Sequence, residues 1–178
     1  SLSALQVESN VRYLNSTAFD GCPIRSFTYG GGVTMFAAFR LSDFGLLETV
    51  TLGEGIGSVP GALFDGCSAL REVILPSSVT RVEAYAFRDC VALGAVSLAD
   101  GLTSLGTGAF AGCRSLEGLL LPDGVRSIGE SLCEGCTSLA EIRIPDGVTA
   151  VPARAFADCR ALKAAVLPDS VTTVGEST

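Results

Sequence analysis

Residues 70–90 read LREVILPSSVTRVEAYAFRDC, and the apolar positions of this stretch return every 23 residues. Cysteine keeps the beat at Cys67, Cys90, Cys113, Cys136 and Cys159. Phenylalanine stands three residues earlier, at Phe64, Phe87, Phe110 and Phe156, and leucine three residues later, at Leu70, Leu93, Leu116, Leu139 and Leu162. A fixed period of this length marks a solenoid, in which each repeat buries its apolar face against its neighbours.

Working outward, the ladder Leu70, Val73, Leu75, Val79, Val82, Phe87, Cys90 recurs from Leu93, from Leu116 and from Leu139, and toward the N-terminus from Leu47. A degenerate copy, Ile24, Phe27, Tyr29, Val33, Phe36, Leu41, Phe44, fits if one residue is deleted after Cys22. The first copy is Leu2, Leu5, Val7, Val11, Leu14, Phe19, Cys22, and the last stops short at Leu162, Ala165, Leu167, Val171, Val174. The chain therefore holds seven full coils and a partial eighth, with no linker between them.

Spacing predicts the local structure. Val73 and Leu75 alternate with Glu72 and Ile74, the period-two pattern of a strand. Pro76, Pro122, Pro145 and Pro168 end that strand, and the Asp123-Gly124 and Asp146-Gly147 pairs supply turn chemistry after it. A second short extended piece is expected over 79–82. The Ala-Phe-x-x-Cys segment needs a compact turn or a short 3₁₀ piece to bring Phe and Cys inward together. Coils stacked about 4.8 Å apart across parallel strands would make a rod roughly 36 Å long.

The motif L-x-x-V-x-L-P-x-x-V-x-x-V-x-x-x-A-F-x-x-C resembles the BspA-like leucine-rich repeats. LREVILPSSVTRVEAYAFRDC and LAEIRIPDGVTAVPARAFADC match it nearly position by position, and the resemblance covers essentially all 178 residues. It implies a single leucine-rich-repeat solenoid over 1–178, of α/β-type repeats made mostly of short parallel strands with turns and 3₁₀ pieces. It also implies a bacterial or protist surface protein of the adhesin or ligand-binding kind, at the cell surface or secreted. Such proteins usually carry secretion signals and further domains.

Composition narrows the function classes. Hydrophobic residues make up 48% of the chain and charged residues 17%, with mean hydropathy +0.47. About seven inward positions per coil explain part of this, and the remainder puts Ala, Gly, Val and Leu on outer surfaces, as contact with a partner requires. The net charge of −7 argues against nucleic acid, which needs a concentrated basic surface. No apolar run is long enough for a spanning helix, and no signal peptide is visible, residue 2 being already in register.

Chemical sites are not suggested. The pair Cys133-x-x-Cys136 is far short of a four-ligand zinc site. By register Cys136 is the ordinary ladder cysteine and Cys133 occupies a phenylalanine position. Leu132, replacing the alanine of Ala86, Ala109 and Ala155, restores part of the lost volume. The ladder cysteines read as small buried apolar residues with free thiols, since a continuous ladder gives no unique disulfide pairing. Histidine is absent, which removes Ser-His-Asp and Cys-His catalysis and imidazole ligands. The Asp-Gly pairs lack calcium-repeat spacing, and Gly30-Gly31-Gly32 is followed by no phosphate-loop lysine. No enzyme activity, cofactor or metal is expected.

Two docking regions are expected. The sheet presents two outward columns, one reading Gln6, Thr28, Thr51, Ile74, Ser97, Leu120, Arg143, Val166 and the other Ala4, Ser26, Thr49, Glu72, Ala95, Gly118, Glu141, Ala164. Small residues beside Ile74, Leu120 and Val166 leave a flat apolar strip with Glu72, Glu141 and Arg143 as a polar rim. The second region is the irregular coil 24–46, which holds five of the twelve aromatics; near it Tyr13, Met35 and Phe39 face outward by register. A structural role under a capping segment is the alternative there. Neither end carries a polar cap, so a segment of a longer array, or ends covered by another subunit, is expected.

These readings lead to a non-enzymatic protein-protein interaction module that presents a flat sheet face to a protein ligand, as in cell adhesion. The alternative is a scaffold or accessory subunit built permanently into a larger assembly, next to a membrane.

Overall fold

The computed structural model describes residues 2–8, 11, 16–30 and 41–176. Coils are numbered 1 to 8 from their first ladder residues, Leu2, Ile24, Leu47, Leu70, Leu93, Leu116, Leu139 and Leu162. The chain forms short strands in the order β1 (Ala4–Val7), β2 (Ser26–Tyr29), β3 (Thr49–Leu52), β4 (Ser58–Val59), β5 (Glu72–Ile74), β6 (Arg81–Val82), β7 (Ala95–Ser97), β8 (Ser104–Leu105), β9 (Ser127–Ile128), β10 (Glu141–Arg143), β11 (Ala150–Val151), β12 (Ala164–Val166) and β13 (Thr173–Val174). Among the described residues helix is confined to 3₁₀ turns at Ser16–Phe19 and Leu41–Asp43.

All ladders are parallel, and they form two faces of one solenoid. The longer strands pair in the order β1-β2-β3-β5-β7 and, further on, β10-β12; the two-residue strands pair as β4-β6-β8-β9 and β11-β13. Ala4 pairs with Ser26, a step of 22 residues, whereas Ser26 with Thr49 and Thr49 with Glu72 step by 23. The one-residue deletion after Cys22 thus falls where the periodicity placed it.

The inward residues form one continuous core. Every ladder residue of coils 3 and 4, from Leu47 to Cys67 and from Leu70 to Cys90, is buried. Phe64 and Phe87 stack at 4.9 Å between ring centroids with planes 2° apart, and Phe87 and Phe110 at 5.3 Å. Cys133 takes the next place in that column, fully buried beside Leu132. The described ends are looser. Leu2 in coil 1 and Leu167 and Val174 in coil 8 occupy ladder positions yet stay exposed, since a coil covered on one side buries only that side.

The Ala-Phe-x-x-Cys segment is a tight turn in which alternate amides serve different purposes. In coil 4 the amides of Tyr85, Phe87 and Asp89 donate forward to the carbonyls of Thr107, Ala109 and Ala111, at 2.8 Å each. The amides between them close the turn locally, as Arg88 does on Tyr85 at 3.1 Å. Aiming them this way puts two residues of the turn at positive φ, glycine at Gly108 and Gly112 but Tyr85, Asp89, Arg154 and Asp158 elsewhere.

The cysteines have a second role besides filling volume. The thiols of Cys90, Cys113 and Cys136 donate at 3.1 Å to the carbonyls of Phe64, Phe87 and Phe110, one coil earlier, and Cys159 does the same to Cys133. Burial raises the Cys67 and Cys159 thiols to about 12, and Cys90 and Cys113 are pushed higher still. Cys133 is raised by its hydrogen bond with Cys136 and by burial. These thiols stay protonated donors, unsuited to serve as nucleophiles.

Candidate functional site

The outward face of the longer sheet has one interruption, and it decides the shape of the surface. At the β7 position in coil 6 stands Gly118, whose single bridge to Glu141 is all that remains of a strand. Glycine gives a strand no side chain to pack and costs more backbone entropy. Among the described residues no ladder joins β7 to coil 6. Val96 and Leu98, the inward residues of β7 and its end, are accordingly only half-buried.

Over this interruption lies an open depression of about 580 Å³, floored by Gly94, Ala95, Val96, Gly118, Leu119 and Ile142. Leu120 stands beside it 79% exposed, and Val166 57% exposed. Glu141 and Arg143 from β10 close one side. Arg143 donates to the Asp123 carboxylate of the preceding turn at 3.3 Å. A shallower groove next to Leu120 includes Asp100, Pro122 and Asp123.

A second depression of about 380 Å³ lies nearer the N-terminus, around Ile74, which is 61% exposed. Glu72 and Glu54 rim it, and among the described residues no Lys or Arg lines it. Glu54 is held in place by coil 4. Desolvation, the largest single effect, pushes its carboxyl up, but the hydrogen bonds from the Ser77 and Ser78 amides and side chains together outweigh it and hold the carboxyl below the ordinary glutamate value.

The two outward columns follow the expected register wherever strands pair, Thr51 beside Ile74 beside Ser97, and Glu141 beside Ala164. Of the expected docking residues, Leu120, Glu141, Arg143 and Val166 come together around one depression, while Glu72 and Ile74 belong to the other. Tyr13, Met35 and Phe39 lie outside the described residues. Sequence reading missed the acidic edge. Asp100, Asp123, Asp146 and Asp169 recur every 23 residues and are all exposed, a column of which the Asp-Gly turn pairs identify only Asp123 and Asp146.

Among the described residues no group of three His, Cys, Asp or Glu side chains is placed to hold a metal ion. Among them no helix is long and apolar enough to cross a membrane. The arrangement offers a surface, with shallow apolar hollows between stacked coils and carboxylates along one border.

Short parallel strands, tight turns and a one-coil-per-repeat core define a leucine-rich-repeat solenoid. The profile of the BspA type leucine rich repeat region, in six copies, matches residues 1–117 and 57–178, and the chain belongs to that family. Solved structures agree. The leucine-rich repeat protein of T. pallidum is 25% identical, with a TM-score of 0.67, over 97% of this chain and 73% of that one. A leucine-rich repeat protein from Bacteroides ovatus is also 25% identical, with a TM-score of 0.71, over 98% of this chain. The chain spans only 55% of that second protein's length. A leucine-rich repeat protein from Eubacterium ventriosum, 19% identical over 86% of this chain and 57% of its own, with a TM-score of 0.52, shares the fold. No curated protein sequence matches the chain. Repeats of this family and fold are typically non-enzymatic and serve in protein interaction.

Proposed function

We propose that this chain is a protein-interaction module that docks a protein ligand on the outward face of its longer sheet, without catalysing a reaction, and that it works at a cell surface or in secreted form. The observation that carries the reading is the exposure of Leu120, Ile74 and Val166 on one face, beside hollows opened by small residues. Large apolar side chains grouped around a depression cost solvation free energy, which a partner recovers. The family resemblance supports the surface location.

The test compares protein partners bound by the wild-type chain and by an Ile74→Asp, Leu120→Asp variant of the same fold, each purified and probed by quantitative cross-linking in its native cells. Partners lost in the variant, with an unchanged circular dichroism spectrum and melting temperature, support the reading. A variant that retains every partner overturns it.

A second reading, a scaffold subunit held within a larger assembly, is favoured by the exposed apolar side chains away from the end coils, Leu46, Ile74 and Leu120. Sedimentation of the purified chain separates the two readings. A soluble monomer favours the docking module, and self-association or insolubility without partners favours the subunit.

A further inference from the structure

The Ile74 hollow, and the Leu120 hollow taken together with the groove beside it, carry an excess of negative charge, although they are built from different coils. Around Leu120 the carboxylates of Asp100, Asp123 and Glu141 face one guanidinium, that of Arg143, which is already bonded to Asp123. Among the described residues Glu141 has no ion pair. Around Ile74, Glu72 and Glu54 stand with no cation among the described residues of the lining. The strand-entry border, where Arg71, Glu117 and Lys163 stand, is mixed in sign, so the bias lies on the border where Asp100 and Asp123 follow the strands. A second copy of this chain, with net charge −7, would meet this surface with like charge.

We propose that the Leu120 depression receives a cationic segment of a partner protein, one that seats an apolar side chain against Leu120 and Val96 and sets Lys or Arg beside Asp100, Asp123 and Glu141. The proposal rests on the docking reading above and narrows it to the chemistry of the partner. The apolar side chain gains by leaving water, and the flanking charges set approach rate and register more than raw affinity. Ile74 lies two coils away, roughly 10 Å by strand spacing, so a longer segment of the same composition would reach the second hollow as well.

The experiment uses the isotope-labelled chain and three synthetic peptides of equal length: one with a leucine flanked by lysines, one with the same leucine flanked by glutamates, and one with serine in place of the leucine between lysines. The expected result is that only the lysine–leucine peptide moves the amide resonances of Gly118, Leu120 and Glu141. Its affinity should fall about fivefold or more between roughly 50 and 300 mM salt, as screening of charges over several ångströms requires. Asp100→Asn and Glu141→Gln should each weaken it about threefold, and the Leu120→Ser variant should lose discrimination between leucine and serine peptides.

Equal binding of the glutamate peptide, equal binding of the serine peptide, resonance changes confined to other coils, or no binding by any peptide would each overturn the proposal. If partners captured through the sheet face are lost in the Ile74→Asp, Leu120→Asp variant yet bind independently of salt, the docking reading stands and the cationic partner falls.

Discussion

The Cys113 thiol donates a 3.1 Å hydrogen bond to the carbonyl oxygen of Phe87, one coil earlier. That oxygen already accepts the amide of Cys90 at 3.3 Å, so the thiol occupies its second lone pair. Cysteine suits the position because it is small enough for the inside of a tight turn, apolar enough to be fully buried, and still able to donate.

Removal of that sulfur should therefore cost more than its area suggests. Cys113→Ala leaves a void between stacked coils and loses the donor, while the Phe87 oxygen keeps one partner. The expected loss is about 1–2 kcal/mol, read as a lower urea midpoint. An unchanged midpoint would mean that the column tolerates the gap. In the folded chain Cys90 and Cys113 should resist alkylation at mildly alkaline pH and react together as the chain unfolds.

The Phe column breaks at Cys133, and the adjacent Leu132 is as deeply buried. Cys133→Phe alone should overpack this coil and cost about 1–3 kcal/mol. Leu132→Ala alone should cost about 2–4 kcal/mol through a cavity. The double change recreates the Ala-Phe pair of coils 4 and 5 and should come out well below the sum. A double-mutant cycle measures this coupling, and additive costs would show that the two side chains do not share a space.

Two glycines of coil 6, Gly118 and Gly129, should respond in opposite ways. A Cβ on Gly129 would lie 2.3 Å from the Thr107 amide nitrogen, against backbone that has no way to yield. Gly129→Ala should lower stability by about 2 kcal/mol or more. At Gly118 a Cβ would meet nothing within 4 Å. Gly118→Val should leave stability unchanged or raise it by favouring the missing strand, while filling the depression and weakening partner binding. Equal effects at both positions in a thermal melt would contradict this account.

Acid should loosen the stack through specific carboxylates. Hydrogen bonds from Arg154 and Ser131 hold the Glu134 carboxyl below the ordinary glutamate value of 4.5; at Glu54 desolvation, the largest single effect, pushes up, and the bonds from Ser77 and Ser78 together outweigh it and hold the carboxyl below that value. A carboxyl lowered in the folded state contributes stability that is fully present above its unfolded value and is lost as the pH falls through the folded value. The loss should begin near pH 4.5 and deepen below it. A Glu54→Gln, Glu134→Gln variant should start with a lower melting temperature at neutral pH and fall less steeply into acid. Parallel curves for variant and wild type would remove these two groups from the acid response.

The coil register was almost wholly legible in the sequence, because one residue type per position recurs at a constant interval and parallel stacking converts interval into adjacency. Even the short step from Ala4 to Ser26 could be placed, since a single deletion restores the pattern from Ile24 onward. The site was legible in part. Ile74, Leu120 and Val166 could be put on one face by counting, but the hollow beneath Leu120 could not. It depends on Gly118 failing to hold its strand and on Val96 being uncovered as a result, a matter of pairing between coils rather than of position within one. The bond from each thiol to the earlier coil escaped for a similar reason, since it depends on where the turn aims its carbonyls.

Among the described residues both sheets are interrupted around coil 6. The longer sheet has no ladder between coils 5 and 6 and only the Gly118–Glu141 bridge between coils 6 and 7, where the shorter sheet also lacks its ladder. The turn border crosses both without a gap, through Gly108, Phe110 and Gly112 to coil 6 and through Ser131, Cys133 and Gly135 to coil 7. A pull along the rod would therefore be carried by that border, whose inter-coil hydrogen bonds all run in the same direction. Under load the sheet face would part first at Leu120, widening the hollow there while the spine behind it held.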